Sequence, residues 1–140
     1  MKYVCDAPDG KTWFRIETEA EAERESNLMQ HAVEKYFRRE KEKAMRTFTP
    51  ASTKYIEQNI GLNTHLQREM PLFLTLRDRE GEGLATAMLP PRGQADLNFQ
   101  VIIVGMGNSD PYPEHGTAIE ALGGHFGLTL DRARCFPYRR

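Results

Sequence analysis

Two short runs of apolar and aromatic residues at the start of the chain, separated by a turn sequence, predict a β-hairpin. The segments Lys2–Cys5 and Thr12–Ile16 are rich in residues that favour strands, and Asp9-Gly10 between them is typical of a tight turn. Thr18 follows the hairpin and Glu21 comes three residues later. With this spacing each side chain can accept a hydrogen bond from a free amide at the start of a helix. We therefore expect two strands and then a helix that begins at Thr18.

The next segment, Thr18 to Phe48, is predicted as one long helix because its apolar positions recur three or four residues apart. Its first third is acidic and its last third is basic. The apolar stripe begins at Leu28, and Asn27 followed by Gln30 repeats the capping spacing, so the part that faces the core is expected to start near Asn27. A continuous helix would span about 43 Å, whereas a compact domain of this length is only about 37 Å across. We expect the acidic first turns to overhang, bend or fray.

Residues 50 to 66 fit two kinds of structure. Thr49-Pro50 is typical of a helix start and Gly61 of a helix stop, which favours a helix from Pro50 to Asn59. A polar-apolar alternation with a period of two continues through Leu66 and favours a strand instead. We prefer the helix, and the strand stays open as the alternative.

Three strands are predicted in the second half of the chain. Pro71–Arg77 and Leu84–Leu89 are separated by the turn sequence Glu80–Gly83 and give the strongest hairpin signal. Phe99–Val104 is a continuous apolar run, which is typical of a central strand buried on both faces. After this run we expect a loop and then one more helix.

The C-terminal helix is predicted to begin at Thr117 and to end at Gly123-Gly124. With 140 residues, the chain has the length of one domain. We therefore predict a single α+β domain over residues 1–140, in which a mainly antiparallel sheet consists of the N-terminal hairpin and a three-stranded meander. The long helix of the N-terminal half and the shorter C-terminal helix cover this sheet.

Composition and charge describe an ordinary water-soluble protein. Apolar residues make up 39% of the chain, charged residues 28%, and the formal net charge is −1. Such a charge gives no whole-molecule attraction to nucleic acid or anionic lipid. The chain has no apolar run of the roughly 20 residues that span a bilayer, and its N-terminus lacks the apolar core of a secretory signal. We expect a cytoplasmic protein without membrane association.

The two cysteines, Cys5 and Cys135, lie near opposite ends of the sequence. We expect free thiols, and a disulfide that joins the chain ends is the alternative. Arg132, Arg134, Arg139 and Arg140 lie close enough in sequence to lower the pKa of the Cys135 thiol. An ordinary cysteine in a packed tail is the preferred interpretation.

The segment Gly105–Gly116, rich in glycine and proline, is the candidate ligand loop. Glycines let backbone amides approach an anion closely, and the start of the next helix carries partial positive charge. The loop has no lysine or arginine, however, so the alternative is that its glycines and prolines only turn the chain. The candidate ligand residues are Gly105, Gly107, Asn108, Ser109, Asp110, Glu114 and His115.

Four side chains in and after this loop are candidate metal ligands: Asp110, Glu114, His115 and His125. Carboxylates and imidazoles of this kind suit zinc, manganese or iron. Their spacing matches no established metal signature, so exposed surface residues are the alternative interpretation. The sequence holds no fingerprint of an organic cofactor, and we expect none.

Basic residues of the long helix and the tail are the candidates for contact with nucleic acid. Glutamates four residues away can pair with several of them, for example Glu34 with Arg38, so a solvated helix face is the preferred interpretation. The basic positions are Lys35, Arg38, Arg39, Lys41, Lys43, Arg46, Arg132, Arg134, Arg139 and Arg140.

Three functions are compatible with these observations. The first is a non-catalytic binding or interaction module that contacts a protein partner, or a second copy of the chain, through an exposed sheet face or edge. Trp13 is the candidate anchor of that contact if one face of the hairpin is uncovered. The second is an enzyme or small-ligand-binding domain that uses the loop Gly105–Gly116, and the third is nucleic-acid binding through the basic half of the long helix. We prefer the first.

Overall fold

The structure, a computed structural model, describes residues 1–138. Five strands form one antiparallel sheet in which every strand pairs with its neighbours in sequence. The predicted α+β class, the N-terminal hairpin and the three-stranded meander are confirmed. The strands are Lys2–Asp6 (β1), Thr12–Arg15 (β2), Leu72–Arg77 (β3), Gly83–Leu89 (β4) and Ile102–Gly105 (β5), and the helices are Glu19–Met29 (α1), Val33–Arg46 (α2), Tyr55–Glu69 (α3) and Tyr112–Phe126 (α4).

Helices cover both faces of the sheet. Successive residues of a strand point to opposite faces, so Leu74 packs beneath α4 with Ile119, whereas its neighbour Phe73 packs beneath α2. The rings of Phe73 and Phe37 lie 5.2 Å apart, centre to centre. The sheet is therefore the middle of three layers, with α4 on one side and α1 and α2 on the other.

The predicted long helix is two helices. The capping box at Thr18 is confirmed, because Glu21 N donates to Thr18 Oγ1 at 3.1 Å and Thr18 N donates to Glu21 Oε1 at 3.1 Å. Gln30 then adopts a left-handed conformation, with φ 55° and ψ 51°, and ends α1. The core-facing helix starts at Val33 and not near Asn27. The break lets both helices bury an apolar side on the same sheet, which one straight rod of that length would overshoot.

The segment between α2 and β3 is a helix, but its predicted bounds are wrong. Helix α3 runs from Tyr55 to Glu69 and contains Gly61, so Gly61 is no helix stop. The helix ends instead at Met70, which precedes Pro71, because a proline disfavours helical geometry in the residue before it.

Only the second half of the apolar run Phe99–Val104 is in a strand, because β5 covers Ile102–Gly105, and this strand lies at the edge of the sheet and not in its centre. Its apolar character has another cause, because helices and the C-terminal tail cover it. Ile103 is buried beneath α4, and Val104, on the opposite face, is only 8% exposed. At the outer edge, Ile103 N donates to Phe136 O at 3.0 Å, and Phe136 N donates to Val101 O at 2.9 Å. Within residues 1–138, no helix is long and apolar enough to cross a membrane.

Candidate functional site

The candidate ligand loop is shorter than predicted, because α4 begins at Tyr112 and not at Thr117. Pro113 in the first turn needs no amide donor there, so it is compatible with an early helix start. Glu114 and Gly116 therefore lie within the bounds of α4, and His115, with φ −126° and ψ 16°, forms a kink after its first turn. The helix also continues past Gly123-Gly124 to Phe126 and ends at Gly127, which has φ 70°.

The remaining loop residues mainly bond to each other. Gly105 N donates to Ser109 O at 2.7 Å, and a Cβ on Gly105 would lie only 2.6 Å from Ser109 Oγ. Gly107 and Asn108 both have positive φ, 62° and 60°. Glycine at 105 and 107 is thus explained by a tight turn, as the alternative interpretation held. Asn108 lines the cavity that is described below.

The candidate metal ligands do not converge. Asp110 forms an ion pair with Arg132, and His115 Nδ1 lies 3.1 Å from Lys11 Nζ. His125 packs its ring against Phe126, 4.8 Å between centres. Over residues 1–138, no group of three or more histidine, cysteine, aspartate or glutamate side chains is placed to hold a metal ion. The predicted metal site is therefore not assembled.

Trp13, the candidate interaction anchor, is completely buried. Its indole Nε1 donates to Ala118 O of α4 at 2.8 Å. The condition for its role as an anchor, an uncovered face of the hairpin, is not met because α4 covers that face. Trp13 is a core residue that ties the hairpin to the C-terminal helix.

The basic half of α2 is partly neutralised by acidic neighbours. Arg38 forms the predicted ion pair with Glu34 and lies 3.7 Å from Glu19 of α1. Arg139 and Arg140 of the proposed patch lie outside the described residues. These pairings favour the interpretation of a solvated helix face over a nucleic-acid interface.

Both cysteines are free and buried, as predicted. Burial raises the pKa of the Cys135 thiol, and the opposing effects of a hydrogen bond from Tyr112 and of the Arg134 charge do not overcome it. The charge of Arg134 does act to lower this pKa, but burial outweighs it, so Cys135 is the ordinary buried thiol of the preferred interpretation. Burial likewise raises the pKa of Cys5, so neither thiol has the properties of a nucleophile.

A mostly apolar cavity lies between the start of α2, strands β4 and β5, and the C-terminal tail. It encloses about 270 Å³. Its walls are mostly apolar, with side chains from both the sheet and the helices. They include Val33, Phe73, Met88, Ile102, Val104 and Phe136, and the polar residues His31, Tyr36, Thr86 and Asn108.

A chain of hydrogen bonds runs from the interior to this cavity. Arg77 Nη2 donates to Glu25 Oε1 at 2.7 Å, and Thr86 Oγ1 donates to Glu25 Oε2 at 2.6 Å. Glu25 and Thr86 are buried, and His31, at the cavity wall, lies with its Nε2 2.8 Å from Thr86 Oγ1. A buried carboxylate is costly unless it is paired and bonded, and here both of its oxygens have a partner.

The hydrogen bonds of Thr86 determine the tautomer of His31. The Thr86 hydroxyl gives its only proton to Glu25, so it accepts a proton from His31 Nε2. Nδ1 then carries the lone pair and faces the amide of Val33, 3.4 Å away. Burial lowers the pKa of His31, against the opposing charge of Glu25. Protonation at Nδ1 would also place two N–H groups against each other, so the neutral ring fits this site.

Sequence reasoning missed Glu25, His31 and Thr86 as members of one site. Thr86 is 61 residues from Glu25 and 55 from His31, and no local motif links them. The available signal was weak. Glu25 lies three residues after Ala22 and four before Met29, and His31 lies three residues after Leu28, so both polar residues share the helical spacing of apolar ones. Their juxtaposition depends on the break at Gln30, which the sequence pattern did not reveal.

No family model, curated protein or solved structure matches this chain. The geometry of the site is therefore the basis for the function proposed next.

Proposed function

We propose that this protein binds a small, mostly apolar ligand in the cavity beside His31. The supporting observation is an apolar cavity with a few polar groups at defined positions, which is the usual composition of a small-molecule site. Ligand sites commonly enclose about 300 to 1,000 Å³, and this cavity lies just below that range at about 270 Å³. The ligand is accordingly small.

The polar end of the ligand would lie at the mouth of the cavity. Tyr36 and Asn108 line the cavity and are exposed to solvent, so the hydroxyl and the amide can meet a polar ligand atom without becoming desolvated. The deeper walls, with Phe73 and Val104, present only carbon atoms from their side chains. A ligand with an apolar body and one hydrogen-bonding group matches this arrangement.

The polar chain favours binding over catalysis. A general base needs a nitrogen or oxygen that can accept a proton from the substrate. The Nε2 of His31 is bonded to Thr86, and its Nδ1 faces the amide of Val33. Both ring nitrogens are therefore committed to protein groups, and the ring serves as a fixed wall. This proposal keeps the non-catalytic character of the first hypothesis, but it takes the small ligand from the second hypothesis, which had placed it in the loop Gly105–Gly116.

Titration with indole, a neutral and mostly apolar probe, tests the proposal. Indole is added to ¹⁵N-labelled protein, and amide shifts are followed in two-dimensional NMR spectra. We expect saturable shifts at Val33, Ile102 and Asn108, because their amides belong to the cavity wall.

A matched pair of substitutions at Val104 separates the cavity from general destabilisation. Val104→Phe fills the space and should abolish the shifts, whereas Val104→Ala enlarges it and should retain them, although both disturb a packed position. Shifts that do not saturate in the wild type, or that persist in Val104→Phe, would contradict the proposal.

Self-association stays a second prediction, now with a different surface. Both sheet faces are covered, but α3 exposes Tyr55, Ile56 and Ile60, which are 78%, 72% and 62% accessible. Two isoleucines one helical turn apart can pack against the same pair of a second copy about a two-fold axis. Light scattering during size exclusion should show a dimer that Ile56→Glu dissociates and that the control Leu97→Glu, at a still more exposed leucine, does not. A monomeric wild type at high concentration would exclude it.

A further inference from the structure

A second cavity, on the opposite side of the sheet, is surrounded by basic side chains. It encloses about 260 Å³ between β1, the end of β2, the start of β3 and the end of α4. Four of its lining residues carry a cationic or imidazole group, and none of those in the described chain carries a carboxylate. These four are Lys2, Arg15, Arg92 and His125.

The two guanidinium groups converge on the end of α3. Arg15 Nη2 donates to Gln67 O at 3.0 Å, and Arg92 Nη1 donates to Arg68 O at 2.8 Å. These carbonyls belong to the last turn of α3, where partial negative charge favours cations. One N–H group of each guanidinium thus stabilises the end of α3.

The helix end does not account for all of this positive charge. Each guanidinium has five N–H donors, and a carbonyl carries no net charge. Burial lowers the pKa of Arg15, and the charge of Glu17 opposes that effect. Arg92 also donates from Nε and Nη2 to Gln94 Oε1, at 3.3 Å each, and its Nη1 forms a 4.0 Å ion pair with Glu69 Oε1. Both side chains of that pair are exposed to solvent, so it compensates the charge of Arg92 only weakly. Among the described residues, Lys2 and His125 make no hydrogen bond to the end of α3.

The floor of the cavity is apolar. Leu72 and Leu74 of β3 lie beneath it, and Phe126 closes one side. Phe126 is held against Gly93, where an added Cβ would lie 2.2 Å from the ring, so glycine is required for this contact. A fixed aromatic ring beside a group of cations is suited to a ligand that has both an apolar body and an anionic end.

We propose that this cavity is a binding site for a small organic anion, with a carboxylate or phosphate end and an apolar or aromatic body. The anionic end meets Lys2, Arg15 and Arg92, because guanidinium donors match the geometry of carboxylate and phosphate oxygens. The body lies on Leu74 and against Phe126. The site is independent of the cavity beside His31, which lies on the other face of the sheet.

Benzoate, acetate and benzyl alcohol are the probes that test the inference. Benzoate has both the charge and the ring, acetate lacks the ring, and benzyl alcohol lacks the charge. Each is titrated at low ionic strength, and the amide shifts of Tyr3 and Phe126 report on the site. We expect saturable shifts with benzoate and at least about tenfold weaker binding of the other two. Benzyl alcohol loses a charge-assisted hydrogen bond, which contributes about a factor of ten or more, and acetate loses the apolar contact of the ring. Binding of acetate or benzyl alcohol as tight as that of benzoate would overturn the inference, as would the absence of saturable benzoate shifts.

Substitution of an exposed lysine gives the matched control. Lys2→Gln removes a cation from the cavity without touching the core, because Lys2 is exposed. Lys35→Gln removes the same charge from an exposed position on α2. We expect the affinity for benzoate to fall about fivefold in the first variant and to stay unchanged in the second. Equal effects of the two substitutions would show only a general response to net charge and would refute the site.

Discussion

Substitution of Thr86 tests whether the buried hydrogen-bond chain stabilises the protein. Valine has nearly the shape of threonine, so Thr86→Val removes the hydroxyl with little change in packing. That hydroxyl donates to Glu25 Oε2 at 2.6 Å and accepts from His31 Nε2 at 2.8 Å. The variant therefore leaves a buried carboxylate oxygen and a ring N–H without their partner.

The expected cost follows from the two lost bonds. The bond to the carboxylate is charge-assisted and contributes about 2 kcal/mol, and the bond from the imidazole contributes about 1 kcal/mol. We expect the free energy of unfolding to fall by about 3 kcal/mol. For a domain of this length this corresponds to a decrease of roughly 10 °C in Tm.

Thr75→Val is the matched control, because Thr75 is also fully buried and lies directly opposite Thr86 in the pairing of β3 and β4. Its hydroxyl accepts one bond, from Arg77 Nε at 3.0 Å, and the side chain of Arg77 is still 16% exposed to water. We expect a loss of about 1 kcal/mol. Urea unfolding followed by circular dichroism measures both values. A cost for Thr86→Val no greater than that for Thr75→Val would refute the reasoning.

Two further predictions concern titratable groups. Burial lowers the pKa of His31 and of His115 below the ordinary 6.5, so the unfolded chain binds more protons than the folded chain as the pH falls through that value. The free energy of unfolding should therefore decrease from about pH 7 towards pH 5. Urea unfolding at several pH values should show a shallower decrease in the double variant His31→Gln/His115→Gln. Equal pH dependence in the variant and the wild type would contradict this prediction. Cys5 and Cys135 are buried with raised pKa values. A thiol reagent that releases a coloured product should therefore react slowly with the native protein and rapidly with both thiols in denaturant. Fast labelling of the native protein would be inconsistent with the structure.

The sequence predicted those parts of the fold that depend on local signals. The capping pair at Thr18 and the hairpin signal between Pro71 and Leu89 are read from residues close together in the chain, and both are present. The edge position of β5 was not predictable in this way. An apolar run indicates that a strand is covered, but it does not say whether the cover is another strand or, as here, the tail at Phe136.

The same distinction explains why the candidate site was misplaced. Sequence reasoning assigned function to glycines, prolines and polar residues that are adjacent in the chain, and the structure uses Gly105 and Asp110 mainly to hold the turn. The cavity is lined instead by one to three residues from each of α2, β3, β4, β5 and the tail, and these residues are unremarkable in their own segments. Asn108 is the one residue that belongs both to the candidate loop residues and to the lining of this cavity as described. A site made of such distant contributions has no local sequence signature.

The break at Gln30 links the fold to the proposed ligand site. A left-handed residue ends α1 there and redirects the chain before α2 begins at Val33. Because of this change of direction, α1 can place Glu25 against the sheet while the residues just after the break, His31 and Val33, reach the cavity. In one continuous helix the last turns of α1 and the first turns of α2 would follow a single axis, and the chain could not turn both groups towards Thr86. The feature that shortened the predicted helix is thus the one that assembles the cavity wall.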